Sequence, residues 1–441
     1  MLRPLASIGS RLPASRRGLI TIISGTALGQ LFGLLAAPVL TRIYSPSDFG
    51  MFTVVFAMAA TIGTVAGGRY ELAIPLPKGA SDSYSLVFLG LTCCALTASL
   101  GTLVVALAGD ILAVSFSQRG LKPWLWFVFP LAAFMGATQV LNQLAIRRMR
   151  YGAIGRRNVV HAAGTTLTQI ALGLAQFTPG GMFVGMATGQ LIGATSLAFG
   201  SGLRGADAKE GYALRKTRDV ARRYWRFPVV MGPSGLLNVL GVQLPVVLLA
   251  YFYGTSVAGW MGLTQRVLAV PVALVGTAIA QVYLSQLAVH KRVDPASVAS
   301  LFSRASRRLL AIGASVGLVF MVAGPHIFAL VFGQEWEISG YYAQAMALGV
   351  AAQFVGTPLS QTLIVYERLG LQLLWDSSRL LLVSTAIIAC AAIGASALTA
   401  IWVLSLASAV SYLASWLMSW GVVRTLRTRP GRSHSTHGAP T

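Results

Sequence analysis

The stretch "GLTQRVLAVPVALVGTAIAQVYL" (262–284) decides how the chain is read. It is long enough to cross a bilayer core of about 30 Å, yet Arg266 places one full charge inside its apolar run. A charge at such a depth is costly and is kept where it faces protein or water, not acyl chains. Laid on a helix, Arg266 shares a face with Ala269, Ala273, Gly276, Thr277, Ala280 and Gln281, while Leu268, Val275, Ile279 and Val282 lie opposite. Small and polar residues mark the side of a membrane helix that packs on other helices. The guanidinium is therefore expected to look into the protein, about 12 Å from a helix start at residue 258. The competing reading stretches the side chain back to the outer headgroups.

The rest of the chain repeats the apolar pattern. Of 441 residues, 55% are hydrophobic and 10% charged, against about 25% charged in soluble domains. Runs long enough to span occur at 18–41, 49–68, 84–108, 124–145, 159–176, 181–202, 229–252, 258–284, 309–332, 340–363, 379–395 and 398–420. The fold class expected is an all-α polytopic membrane protein, with about twelve transmembrane helices in two six-helix lobes around a central cavity. The first run is too apolar over too great a length for a signal peptide, and no small-residue cleavage site follows it.

A formal net charge of +22 invites comparison with nucleic-acid binders. Such proteins cluster their basic residues on a folded polar domain, and no segment here is long and polar enough to form one. Topology accounts for the charge instead: 30 of the 34 Lys and Arg fall in the segments on one side of the twelve runs. The positive-inside rule then places both termini of a multi-pass protein in the cytoplasm. Domain boundaries follow: a basic N-terminus (1–17), an N-lobe (18–202), a basic linker (203–228), a C-lobe (229–420) and a disordered basic tail (421–441). The linker is expected as an amphipathic helix on the membrane surface, drawn to anionic membrane lipids. The longest external loop is 109–123.

The halves resemble each other. "YSPSDFGMF" (44–52) follows the first run and "YGTSVAGWM" (253–261) the seventh, with Pro38 and Pro245 near the ends of the preceding runs. Both first runs point outward, which makes the repeat parallel, and substrate is expected where such halves meet.

No Asp or Glu is expected in mid-membrane. A buried Arg266 without a carboxylate is served by water, backbone carbonyls or a passing anion, and its planar fork suits phosphate oxygens. Polar side chains at helical spacing supply further candidates for substrate contact. They are Gln30 beside Gly25, Gly29 and Gly33, then Gln139, Asn142 and Gln143, then His161, Thr165, Thr168 and Gln169, Asn238, Gln281, and finally Gln353, Thr357, Ser360 and Gln361. Amides and hydroxyls in a hydrated path suit sugar hydroxyls; interhelical hydrogen bonds are the plainer use of each. Arg69, in "GGRYELAIPLP" (67–77), either pairs with Glu71 or meets an anionic headgroup entering from inside, and Arg42 either caps its helix or lies near the exit. Cys93, Cys94 and Cys390 read as packing, and neither they nor the histidines, His434 and His437 included, have metal spacing. No cofactor is expected.

Several of these stretches match a known group. "AAPVLTRIYSPSDFGMF", "GGRYELAIPLP", "LAIRRMRYGAIGRRNV", "ARRYWRFPVVMGPSGLLNVLGVQLPVVLL", "TQRVLAVPVALVGTAIAQVYL" and "FVGTPLSQTLIVYERLG" together resemble the bacterial polysaccharide-biosynthesis flippases. These are the O-antigen and capsule repeat-unit flippases of the multidrug/oligosaccharidyl-lipid/polysaccharide exporter superfamily, and the likeness covers roughly 18 to 420. It implies alternating access between two lobes and an undecaprenyl-diphosphate-linked oligosaccharide as substrate. It also implies polysaccharide polymerase or assembly proteins as partners, and no enzymatic activity. Arg69 and Arg266 fall in the recurrent motifs and become candidates for diphosphate contact. The sequence departs from the group in offering a single mid-membrane Arg and no acid there. A drug exporter of the same superfamily, or a membrane enzyme acting on lipid-linked sugars, are the alternatives.

Overall fold

The computed structural model describes residues 14–115, 119–203, 211–293 and 297–427. The outer parts of the basic N-terminus and of the tail, with His434 and His437, lie outside the described residues, as does 204–210 of the linker. Every backbone N–H and C=O within hydrocarbon must be satisfied inside its own segment, and helices do this for near-continuous apolar sequence. Among the described residues there is accordingly no strand.

The N-terminal bundle is built from α1 (Ala14–Ile43), α2 (Pro46–Ala66), α3 (Ala80–Ser115), α4 (Val128–Arg147), α5 (Tyr151–Leu174) and α6 (Gly180–Ser201). A linker helix, α7 (Leu214–Arg223), precedes the second bundle. That bundle comprises α8 (Gly232–Tyr253), the broken span α9 (Thr255–Pro271) and α10 (Thr277–Val293), then α11 (Val298–Phe332), α12 (Glu337–Val365), α13 (Leu369–Ala392) and α14 (Ala397–Arg427). Pro271 cannot donate to the helical ladder, and the chain continues as a π turn over Val272–Gly276 before α10 resumes. Among the described residues ten helices are long and apolar enough to cross a membrane. The two spans that fall short are α5 and α9–α10, which carry Arg157, His161, Gln265 and Arg266.

The halves pack alike. In the first, α1 lies on α5, α5 on α6, α4 on α6, α3 on α4 and α2 on α4. In the second, α8 lies on α13, α13 on α14, α12 on α14, α11 on α12 and α9–α10 on α12. Equivalent helices also end alike: α4 and α12 both close with a left-handed residue, Met149 (φ 53) and Glu367 (φ 58).

The lobes meet mainly through α2 against α8 and α9, and the repeated motifs form the contact. Gly50 and Gly259 each stand six residues after their motif tyrosine, and Pro46 and Thr255 each stand two after it. A Cβ on Gly50 would fall on the Thr255 carbonyl oxygen, and a Cβ on Gly259 on that of Pro46. The contact is reciprocal about a pseudo-dyad, which the matching positions Thr53 and Gly262, packed on each other, continue. Trp336 Nε1 donates to the Thr41 carbonyl at 3.0 Å, and its ring meets Phe49 edge-on at 4.8 Å. A shared core of Ala37, Leu40 and Phe49 with Leu263, Phe328 and Phe354 closes this end of the molecule. It is the end away from the basic segments and is called the far end below.

Three boundaries differ from the sequence reading. Most of the expected loop 109–123 is helical, because α3 runs to Ser115 and a 3₁₀ turn spans Arg119–Phe127. The linker helix docks on protein as well: Val220 is buried with Tyr84, Leu86 and Val87, while Lys216 and Arg223 reach Asp82 at 3.5 and 3.9 Å. And α13 begins at Leu369, ten residues before the expected span, which brings an acid inside.

Candidate functional site

Arg266 lies eleven residues into α9, counted from the Thr255 start. At 1.5 Å per residue that is about 16 Å, close to the middle of a core of about 30 Å. The guanidinium crosses to α1: a Cβ on Gly33 would stand 3.1 Å from Arg266 Nη2. Gly33 is ten residues from the far end of α1, which independently puts the meeting point at about 15 Å. The side chain thus meets α1 at its own depth rather than stretching back along α9 toward the far end. Among the described residues no hydrogen bond or ion pair engages this guanidinium, and the residue is only half-buried.

The glycine edge of α1 is divided between two partners. Gly25 packs on Gly155 and Gly29 on the Asn158 carbonyl, both in α5, while Gly33 is left facing Arg266. Gln30, exposed on the same helix, points away from the close α1–α5 contact.

At the basic end of the N-lobe a pocket of about 350 Å³ opens between α1, α4, α5 and the turn after α2. Thr26, Glu71, Gln139, Asn142, Gln143 and Asn158 give it a polar wall. Asn142 Oδ1 is buried without a hydrogen-bond partner, and Asn158 Nδ2 donates to Thr26 Oγ1 at 3.0 Å. Asn142 and Gln143 are thus gathered at one place, with Glu71 added to them.

Arg69 stands beside this pocket. Gly68 (φ 63) and Arg69 (φ 56) are both left-handed, a conformation that costs a non-glycine residue and is held only where surroundings impose it. The turn aims Arg69 across the lobe boundary. Its Nε donates to the Met231 carbonyl at 3.3 Å, and its guanidinium covers Gly235 of α8, where a side chain would overlap it. Its Nη1 lies 3.6 Å from Glu71 Oε1. Glu71 is only 3% exposed, and burial pushes its carboxyl above the ordinary value, against the opposing pull of Arg69.

One acid that the sequence reading left outside the spans lies inside a helix. Asp376 is 4% exposed, seven residues into α13. It accepts from Asn238 Nδ2 at 3.0 Å and Gln372 Nε2 at 3.3 Å, and Arg379 one turn on lies 3.8 Å away. The Arg379 guanidinium covers Gly241 as Arg69 covers Gly235. A buried carboxylate is tolerated when paired and hydrogen-bonded, and this pairing draws on a helix far away in sequence. Asn238 therefore serves that cluster.

The remaining candidates are dispersed. Gln169 is buried, donates to the Met182 carbonyl and packs between α5 and α6. Arg42 is exposed at the far end and donates to the Pro38 carbonyl in its own last turn, a local helix-end contact. Gln281 is exposed on α10, and Gln353 and Gln361 are half-buried on α12. Sequence reasoning offered Glu71 as a partner of Arg69 but did not place it in a pocket, and it missed Asp376, whose only signal was an Arg three residues on.

The family described as "Polysaccharide biosynthesis protein" matches residues 39–340. No curated protein matches the chain in sequence. Among solved structures, an inward-facing multidrug resistance MATE family transporter of the MOP superfamily superposes with TM-score 0.70 at 14% identity, over 92% of this chain and 96% of that one. The lipid II flippase MurJ, in an inward closed conformation, gives TM-score 0.71 at 11% identity over 92% and 90%. A MOP superfamily transporter from Pyrococcus furiosus, described by the reverse polarity of its binding pocket, gives 0.64 at 13% over 94% and 97%. At such identities the likeness establishes the fold, twelve helices in two lobes, and the family match establishes kinship: the chain belongs to the polysaccharide biosynthesis protein family.

Proposed function

We propose that the protein is a flippase for a lipid-diphosphate-linked oligosaccharide, carried on undecaprenyl diphosphate, in polysaccharide biosynthesis. The basic end faces the cytoplasm, and the glycolipid passes from the inner to the outer leaflet of the bacterial inner membrane by alternating access of the lobes. The observation that carries this reading is Arg266, a guanidinium at mid-depth between the lobes with no partner among the described residues. A half-buried cation without a counter-ion selects an anion as its partner, and its fork matches diphosphate oxygens. The amide-lined pocket near Arg69 suits the sugars, and the lipid tail stays in the bilayer. Among the described residues the two buried acids, Glu71 and Asp376, are each committed to an Arg, so neither stands free for a cationic drug.

The test is a deletion strain scored for lipid-linked oligosaccharide in the inner leaflet, complemented with variants. Arg266→Ala is expected to abolish export at normal expression and Arg266→Lys to restore part of it. Full export by Arg266→Ala removes the central observation from the argument. Oligosaccharide reaching the outer face with no protein and no redundant carrier refutes the flippase reading.

A further inference from the structure

Glu71 is buried more completely than an interfacial ion pair requires. Among the described residues neither of its carboxylate oxygens accepts a hydrogen bond of good geometry, and its one ionic contact there is Arg69 at 3.6 Å. A buried carboxylate normally collects two or three donors. Its charged form is favoured by its own backbone N–H and by one guanidinium, which the other lobe also holds through the Met231 carbonyl. Its surroundings offer little else. On the same turn stand Arg69 and Tyr70. Cys93 and Cys94 approach from α3. The α4 wall supplies the amides Gln139, Asn142 and Gln143, α1 supplies Thr26, and α5 supplies Asn158. Gly67 of the preceding turn leaves room for the carboxylate, since a Cβ there would lie 3.0 Å from Glu71 Oε2. Arg147, the other cation nearby, is engaged by the carbonyls of Ile74, Pro75, Pro77 and Gly79.

We propose that Glu71 is a proton-binding switch for the substrate site, which commits Arg69 to the protein when ionised and releases it to an anionic headgroup when protonated. The inference rests on the reading of a diphosphate-bearing substrate. The proton comes from water at the basic end through the open pocket and settles on a Glu71 oxygen, with no other bond made or broken. Neutral Glu71 needs only hydrogen bonds, which Asn142 and its neighbours stand ready to exchange with it. Arg69 then carries an uncompensated charge beside a polar pocket, and a phosphate group is its natural replacement partner. Proton and anion thus bind with positive linkage, and linkage is reciprocal: the anion draws a proton onto Glu71 as strongly as the proton favours the anion. The direction in which burial moves this carboxyl is the one such a switch needs. The lobe contact through Met231 weakens in the same event, which joins headgroup arrival to loosening of the basic end.

The test measures binding of farnesyl diphosphate to the full-length protein in lipid nanodiscs between pH 5.5 and 8.5, by calorimetry, for the wild type and Glu71→Gln. Ionisation of the probe weakens or strengthens both proteins equally, so the difference between them isolates residue 71. Glu71→Gln is expected to bind about 5- to 150-fold more tightly than wild type at pH 8.5, the span of ordinary coupling energies, and to converge with it at pH 5.5. Repetition in buffers of different ionisation enthalpy counts protons on the wild type alone, with net uptake expected beyond that of the probe. Parallel pH profiles, or no uptake, overturn the switch while leaving diphosphate binding in place. Absence of binding by either protein at any pH overturns the substrate reading, and the switch with it.

Discussion

Replacing Gly259 with alanine tests the reciprocal contact that seals the far end. The added methyl falls where the Pro46 carbonyl oxygen now lies, and a side chain cannot rotate out of the way because the obstacle is backbone. Restoring ordinary contact requires α2 and α9 to part by roughly 1.5 Å, and overpacking of this kind costs about 1–3 kcal/mol. If the sealed and unsealed arrangements differ by a comparable amount, the population ratio moves by about 5- to 150-fold toward the unsealed one. The pseudo-dyad adds a stronger requirement: Gly50→Ala meets the equivalent carbonyl of Thr255 and must act alike, and the double variant must add little, because one separation relieves both clashes. The assay is the distance between spin labels on cysteines introduced at Ala175 and Glu335, exposed far-end positions on opposite lobes, in a background without native cysteines. Each single variant is expected to broaden and lengthen the distribution by the same amount. An unchanged distribution, or fully additive effects in the double variant, refutes the argument.

Gly33→Leu takes the space that Arg266 Nη2 occupies and is expected to stop export without loss of folded protein, whereas Gly33→Ala, with its Cβ 3.1 Å from a flexible side-chain end, retains export; complementation of the deletion strain decides. Asp376→Asn leaves Arg379 buried and uncompensated, which is expected to lower stability by about 3–5 kcal/mol, seen in thermal unfolding in detergent. Glu71 has a folded-state proton affinity above its unfolded one, so its contribution favours folding at acid pH and is lost as pH rises through the raised value. Glu71→Gln is therefore expected to flatten the stability–pH curve and to gain over wild type on the alkaline side.

The spans were legible because they are written in local composition, as apolar runs of bilayer length. The orientation of Arg266 was legible for a related reason, since small residues three and four positions away mark the packed face of a helix. Its depth was not, because the short stretch Thr255–Val257 does not read as part of the apolar run, yet it opens α9, where Gly50 and Ser47 of the other lobe meet Thr255. Asp376 was hidden for a similar reason. The run "GLQLLWDSSRLLL" has too much polarity to read as membrane-embedded until Asn238 from α8 and Arg379 are known to meet the carboxylate. Gln169 and Asn238 carry the same side chain chemistry as Asn142, and only the packing tells which of them faces a pocket and which joins two helices. Amide side chains do not announce their partners; tertiary contacts assign them.

The polar span α5 and the broken span α9–α10 have a consequence for how the chain is made. An Arg within a segment adds to its cost of leaving the translocon, by about 2.5–3.5 kcal/mol at the centre, and α5 brings Arg156 and Arg157 while the α9–α10 unit brings Arg266. Each is followed in synthesis by a helix long and apolar enough to span, α6 and α11 respectively. Partitioning of the weaker member must therefore wait for its successor, so that the ribosome delivers these helices to lipid as pairs, and a stall between the members of a pair would strand the first of them in the wrong compartment.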